Sequence, residues 1–381
     1  GFAPIVLERG APVDERADDV DRFWESGDLK SESNVCFGEG GAGAFSDGKL
    51  TSSSNDGRGL NAHVLETFVR FGADEDILSW YRPHVGTDRL RPLMKAVRGE
   101  IIARGGEVRF HTRCEKFITT ADAVSGRQRL SSVLTYDTLS GRQETIRCAA
   151  AVLACGHSAH DTFAALESGG LDMRAKPFAV GLRVQHKQSM IDRAQYGDLA
   201  AYLGPADYRL TSRTASGRGV YTFCMCPGGY VVNSSSEAGF LTVNGMSYHD
   251  RSGANANAAV VVTVGLKDLG SDAVLADDPL SGIRFQQQLE RKAWRLADGA
   301  IPVQRYGDLL RGGAHHPAPG QRTGSAFPQD SPDPAFKGAY SFTDLRGLLP
   351  PEVEQAFIEG MTDFGRKIPG FDDAGRSEEH T

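Results

Sequence analysis

The chain has 381 residues, 40% hydrophobic and 24% charged, the balance of an ordinary globular protein with enough apolar material to offset chain entropy, which excludes wholesale disorder. At roughly 150 residues per domain, two or three cores are expected, with two the working number. A net charge of -7 offers no basic field to a phosphate backbone, and the longest apolar run, around Ala258 to Leu266, falls short of the roughly 18 to 20 residues of a membrane span, so neither nucleic acid nor membrane is expected as a partner.

Gly1 is not a Met, and the chain reads as beginning inside a domain. Its first element, PIVLE at Pro4 to Glu8, has the character of a buried parallel strand, the second strand of a dinucleotide-binding fold whose first strand, glycine turn and helix do not precede it. Val20, Phe23 and Trp24 at helical spacing predict an amphipathic helix over Val13 to Ser26. A glycine-rich segment, GEGGAGAFSDGKL, runs from Gly38 to Leu50, and TSSSNDGRG to Gly59 reads as a loop. Val64, Leu65, Phe68 and Val69 mark a second helix stopped by Gly72. Leu90, Leu93, Met94, Val97 and Ile101 mark a third, with Thr87 or Asp88 as N-cap and Gly105-Gly106 as stop.

From Glu107 the period changes to alternation, predicting a small β-meander with a turn at Leu139 to Gly141. A buried strand, Ala149 to Ala154, should follow it and end at Cys155-Gly156. Beyond Pro177, pieces such as FAVGLRV, GVYTFCM, YVVN and AAVVVTV predict a second, largely β domain. Helical patterns return at Phe285 to Leu296 and at Glu352 to Phe364, the latter led by Pro350-Pro351. The expected fold class is α/β, a truncated Rossmann-like nucleotide-binding domain with a β-meander, plus a second α+β domain rich in antiparallel strands. The expected boundaries are 1-177, 178-335, and 336-375 as helices returning to the first domain. Residues 376-381, RSEEHT, read as an in-frame translation of a sequencing-library adapter and are set aside.

Several residues have the character of a site. Glu8, at the end of a second strand, suits the two ribose hydroxyls of a dinucleotide, or is a surface acid. The 45 glycines exceed the roughly 7% average and cluster in short runs; Gly38, Gly40, Gly41 and Gly43 leave a backbone free to turn its N-H groups toward a pyrophosphate, or form a surface loop. Ser46, Asp47 and Lys49 add side chains at its end. Ala154-Cys155-Gly156 makes a small tip against which a helix and a ligand could pack; His157 and His160 follow, His157 being either a polar cap or a chemical group. His315-His316 reads as surface.

Cys224 and Cys226, two apart on a strand, are expected on one face, either as a dithiol-disulfide pair or as buried unreactive thiols, the latter favoured because a CxC ring is strained. The other cysteines, Cys36, Cys114, Cys148 and Cys155, complete a set of six that is neither a secreted disulfide framework nor a metal-site spacing, so no metal is expected and a reducing cytoplasm is. Asn244, Arg251 and Asn255, with Asn257, bring polar groups to a glycine-rich loop that could rim a substrate pocket.

VLERG, GEGGAGAFSDGKL and VLACGHSAHDTF together resemble the uncharacterised FAD-dependent dehydrogenases related to glutathione reductase type flavoproteins, whose third motif usually reads ATGHSARDTF; here Cys155 and His160 stand for its Thr and Arg. PHVGTDRL (Pro83 to Leu90), YTFCMCPGGYVVN (Tyr221 to Asn233) and TVNGMSYHDRSGANANAA (Thr242 to Ala259) match that family too, and the resemblance spans residues 4 to about 371.

It implies FAD as cofactor, contacted by Glu8, Arg9, Gly40, Gly41, Gly43, Ser46, Asp47, Lys49, Leu50, Cys114, Ala154, Cys155 and Gly156. It also implies hydride transfer from a small-molecule substrate to flavin N5, the electrons then passing to an unknown acceptor. Lys49 would sit near either the dimethylbenzene or the pyrimidine edge. The alternative is a flavin-fold protein of RNA modification or non-redox binding. The family opens with GxGxxG and closes with a GEGAGYAGG-like segment, and this sequence has neither, so the chain as given is expected to be a fragment that does not hold FAD. No second GxGxxG occurs, so no dedicated nicotinamide-binding domain is expected.

Overall fold

The computed structural model describes residues 3-50, 56-80, 82-121, 126-270, 278-311 and 334-373. The loop read at 51-59 is therefore described only from Asp56, and His315, His316 and the tail 376-381 lie outside the described residues. Two compact units form. The first comprises Gly1-Phe23, Asp28-Ala175 and Asp272-Arg284; the second comprises Trp24-Gly27, Lys176-Ser271 and Phe285-Thr381. The expected boundary at 177 lies beside the observed break after Ala175.

In the first unit, β1 (Ile5-Leu7) is followed by α1 (Val13-Ser26, here to Phe23), α2 (Leu60-Arg70) and α3 (Thr87-Ala103), then β2 (Glu107-Arg109), β3 (Thr112-Ala121), β4 (Gln128-Asp137), β5 (Gln143-Arg147) and α4 (His160-Ser168). The helices follow their apolar periodicity: Val13, Val20 and Phe23 of α1 are buried, and Leu65, Phe68 and Val69 of α2 pack with Leu90 and Leu93 of α3 around Ile77. β3, β4 and β5 make the expected antiparallel meander. Its turn is fixed by Asp137, whose Oδ1 accepts the N-H groups of Leu139 and Ser140, and by Gly141 at φ 73°.

Three expectations in this unit are corrected. β1 is parallel, to β2, but Ile5 and Val6 are 41% and 40% exposed, because β2 is its one described strand neighbour. Ala149 to Ala154 is not a strand. The described parallel ladder of this unit consists of β1 and β2 paired with each other, so the run finds no hydrogen-bonding edge, and Val152 is 94% exposed. Thr87 is not the cap of α3: Gly86 occupies that position, and the Thr87 hydroxyl is buried, donating to the Ala44 carbonyl.

The second unit contains β6 (Phe178-Lys187), α5 (Gln188-Tyr196), β7 (Thr211-Arg213), β8 (Gly219-Cys226), β9 (Tyr230-Asn233), β10 (Val243-Met246), β11 (Asn255-Val264) and α6 (Ser281-Leu296, here from Phe285). It continues with β12 (Ile301-Val303), α7 (Tyr306-Arg311), β13 (Phe336-Lys337), β14 (Tyr340-Phe342) and α8 (Pro351-Lys367). An antiparallel sheet of order β6-β11-β8-β7 is its centre, with β10-β9-β13 and β12-β14 as smaller sheets. Alternation on β11 sends Ala256, Ala258, Val260, Val262 and Val264 into a core shared with Val353, Phe357, Met361 and Phe364 of α8. Burial of each large side chain there contributes about 1.5 to 3 kcal/mol. A Cβ on Gly360 would lie 2.4 Å from Val220 Cγ1, so the missing side chain lets α8 settle on β8. α8 is thus integral to the second core, which corrects the reading of 336-375 as helices returning to the first domain. Among the described residues no helix is long and apolar enough to cross a membrane.

Candidate functional site

The glycine segment is held by a residue that sequence patterns pass over. Arg16, on the first turns of α1, is fully buried and spends its guanidinium on backbone carbonyls: Nε donates to Asn34 O at 2.8 Å, Nη1 to Gly38 O at 3.2 Å and Glu39 O at 2.7 Å, and Nη2 to Val35 O at 2.9 Å. It lies over the Phe45 ring at 4.7 Å. Burial pulls its pKa down to about 10, against the pull of Glu8 and Glu39, so it stays a cation at neutral pH. Glu39, buried beside it, accepts Val13 N-H at 2.8 Å, satisfying an N-terminal donor of α1, and Arg98 Nη1 at 3.1 Å.

Glu8 lies at the end of β1, where its Oε1 accepts the N-H groups of Gly10 and Gly38, both at 2.9 Å. Gly10 has to be glycine: a Cβ there would lie 2.7 Å from Gly38 Cα. So does Gly38, at φ 121°, where a Cβ would lie 2.2 Å from Arg16 Cδ. The carboxylate therefore joins strand end to glycine loop through one oxygen, and Oε2 has no hydrogen-bond partner among the described residues.

After Gly40 (φ 85°) the chain makes a short 3-10 turn, Gly41-Phe45, with Gly40, Ala42 and Gly43 exposed and open space where side chains of Gly41 and Gly43 would be. The free-loop expectation is corrected in part. The N-H groups of Gly38, Glu39 and Gly41 go to Glu8, Ala11 O and Gly38 O, so they are not turned toward an anion. Ser46 closes the turn, Oγ donating to Gly43 O and accepting Gly48 N-H. Asp47, buried, pairs with Lys49 Nζ at 2.8 Å. Lys49 and Leu50 run antiparallel to the PHVG segment, Lys49 bridging His84 and Leu50 N-H donating to Pro83 O, so two of the quoted motifs are one structural piece.

Arg9 is engaged: Nε donates to Glu32 Oε2 at 2.9 Å and both Nη atoms to Asp161 at 2.9 and 2.8 Å, with the guanidinium over Phe37. Cys114 lies half-buried on β3, and burial pushes its thiol up; Cys155 is raised for the same reason, its Sγ near Gly156 O at 3.6 Å. Ala154, Cys155 and Gly156 belong to the unpaired run before α4. His157, whose pKa is held down by desolvation and by His160, shares a hydrogen bond with Ser158 Oγ at 3.1 Å. A polar depression of about 380 Å³, lined by Arg109, Thr112, Asp137 and Glu144 among others, contains none of these residues.

In the second unit, the expectation that Cys224 and Cys226 share one face by simple alternation is corrected. A bulge falls between them and Phe223: Cys226 is opposite Asn257, Phe223 opposite Ala259, and Cys224 takes φ 47°. Both are reduced thiols, Cys226 buried and donating to Cys224 O at 3.4 Å. Asn255 opens β11 with Nδ2 donating to Gln185 Oε1 at 3.2 Å, Asn244 accepts the next residue's N-H, and Arg251 sits at φ 51° with its carbonyl against Gly228. Arg16, Glu39 and Arg183 were missed by sequence reasoning. The signal for Arg16 was a charge on the apolar side of a helical pattern, for Arg183 a charge inside a strand, and for Glu39 an acid within the glycine run.

Residues 177-376, just over half of the chain, match the family described as FAD-dependent protein, C-terminal domain-like. An uncharacterized protein of Clostridium beijerinckii (strain ATCC 51743 / NCIMB 8052) is 42% identical over 376 residues, which are 97% of this chain and 65% of that protein. The chain thus spans about two thirds of its curated relative, 65% of its length. The FAD-complexed glycerol-3-phosphate dehydrogenase of Bacillus halodurans is similar over 69% of this chain and 48% of that one, at 13% identity and a TM-score of 0.29. The chain belongs to the family of FAD-dependent proteins, and FAD is its cofactor.

Proposed function

We propose that the protein is an FAD-dependent oxidoreductase acting on a small-molecule substrate and passing electrons to a separate acceptor, with neither nucleic acid nor membrane as partner. The observation that carries the cofactor half of this reading is Glu8: a carboxylate at the end of a parallel strand that pins the glycine loop with one oxygen and keeps the other without a donor among the described residues. The residues present fit the adenosine end of FAD. Oε2 of Glu8 would accept from ribose hydroxyls, and the exposed turn Gly40, Gly41, Gly43 would bring backbone close to the cofactor without side chains intervening. When bound, FAD supplies a hydride acceptor at N5; the protein's share is to bind, orient and exclude water. Arg16 and Glu39 keep the loop in one conformation, so that Glu8 and the turn need no reorganisation on binding.

The test is made on the longest natural form of the protein and, in parallel, on these 381 residues. The natural form should carry flavin absorbance, and its melting temperature should rise with FAD concentration, less so in Glu8→Gln. A colourless protein that FAD neither colours nor stabilises overturns the reading. A response of the 381 residues alone would overturn the expectation that they cannot hold the cofactor.

A further inference from the structure

The second unit contains a cation with no countercharge among the described residues. Arg183 lies half-buried on β6, on the sheet face opposite the apolar core, with every partner neutral: Nε donates to Asn257 Oδ1 at 2.8 Å, and Nη2 to Cys224 O at 2.6 Å and Cys226 Sγ at 3.6 Å. Nη1 has no partner among the described residues. Several other half-buried arginines meet carboxylates, as Arg9 does with Glu32 and Asp161, Arg98 with Glu39, and Arg218 with Asp268.

The surroundings are arranged around that guanidinium. Cys224 adopts a left-handed conformation that L-residues disfavour, and in the resulting bulge its carbonyl meets Nη2. Gly245 makes room, since a Cβ there would lie 1.8 Å from Nη2. Asn257 is fully buried, and because its Oδ1 is committed to Arg183 its amide cannot be flipped without facing two donors together. That leaves Asn257 Nδ2 as a buried donor with no acceptor. An unopposed guanidinium with Nη1 open, beside an orphaned amide donor, is a site short of acceptors, and a carboxylate supplies the missing countercharge together with a charge-assisted acceptor for Nη1.

We propose that Arg183, positioned by Asn257 and the Cys224 bulge, binds a small organic carboxylate, and so assigns the substrate of the oxidoreductase to carboxylate-bearing compounds. The substrate assignment rests on the function proposed above; the anion site itself does not, since it is built from this unit's residues alone.

Acetate, succinate and inorganic phosphate are titrated separately into the protein without added FAD, with melting temperature and isothermal calorimetry as readouts. Binding of acetate or succinate is expected, weakened at least about tenfold in Arg183→Gln, the loss of one charge-assisted bond or more. Asn257→Asp, nearly isosteric, gives Arg183 an internal carboxylate and should abolish binding while leaving the unliganded melting temperature equal or higher. It separates loss of the site from loss of the fold. No response to either carboxylate, a response to phosphate alone, or carboxylate binding unchanged in Arg183→Gln each overturns the proposal. Flavin absorbance recorded on the same samples keeps this outcome distinct from failure of the cofactor reading.

Discussion

Arg16 and Arg183 are both drawn under the surface with no carboxylate of the described residues hydrogen-bonded to them, and the molecule treats them in opposite ways. Arg16 has every nitrogen on a carbonyl and no exposure, while Arg183 keeps a nitrogen open and stays half-buried. A buried cation whose donors are all used by its own chain is a clamp, because any new ligand would have to break bonds already made. One whose donors are incompletely used is available for recognition. The same residue type is thus structure in one unit and proposed recognition in the other, decided by the count of acceptors rather than by depth.

The largest expected effect follows from the clamp. Arg16→Met should cost about 4 kcal/mol or more, since it leaves the buried carbonyls of residues 34, 35 and 39 without donors at about 1 to 3 kcal/mol each and takes one of two donors from Gly38 O, offset in part by relaxation. Denaturant unfolding reads it, and a cost below about 1 kcal/mol would show the loop stands without the clamp. Gly38→Ala should follow at about 2 to 4 kcal/mol, from a side chain forced to φ 121° and into Arg16 Cδ. The same substitution at Gly43, where a Cβ meets open space, is the control and should be close to neutral.

Arg183→Met should cost less, about 1 to 2 kcal/mol, because it takes donors from two oxygens, Asn257 Oδ1 and Cys224 O, rather than four. Equal losses for Arg16→Met and Arg183→Met would erase the distinction between clamp and recognition group.

Much of this was legible in the sequence where the signal is local. Helix periods, the meander and the Asp137 turn need only neighbouring residues, and the glycine cluster at Gly38 to Gly48 announces close backbone packing whatever packs there. What escaped depends on distant partners. Val152 and Val262 sit in similar apolar runs, yet one finds no ladder and the other has strands on both sides, and no local pattern distinguishes them. Arg16 reads as one more charge on a helix until residues 34 to 39 fold over it. The bulge at Cys224 breaks the alternation by a single residue, which a period-two reading of FCMC cannot register.

The smallest effect concerns an arginine that is conventionally paired. Burial raises the Asp161 pKa, but the two bonds from Arg9, with the Thr162 N-H, outweigh it and hold the carboxyl below its usual range. A carboxylate with a depressed folded pKa adds stability that is fully present above the unfolded value of about 3.9 and is lost as pH falls from there through the folded pKa. The Asp161 side chain is 47% exposed, so solvent screening limits the gain to about 1 kcal/mol or less. Wild type should therefore exceed Asp161→Asn in stability at neutral pH, and the gap should close on acidification. A gap of constant size across that range would mean that Arg9 is held by geometry, as Arg16 is, rather than by the charge it faces.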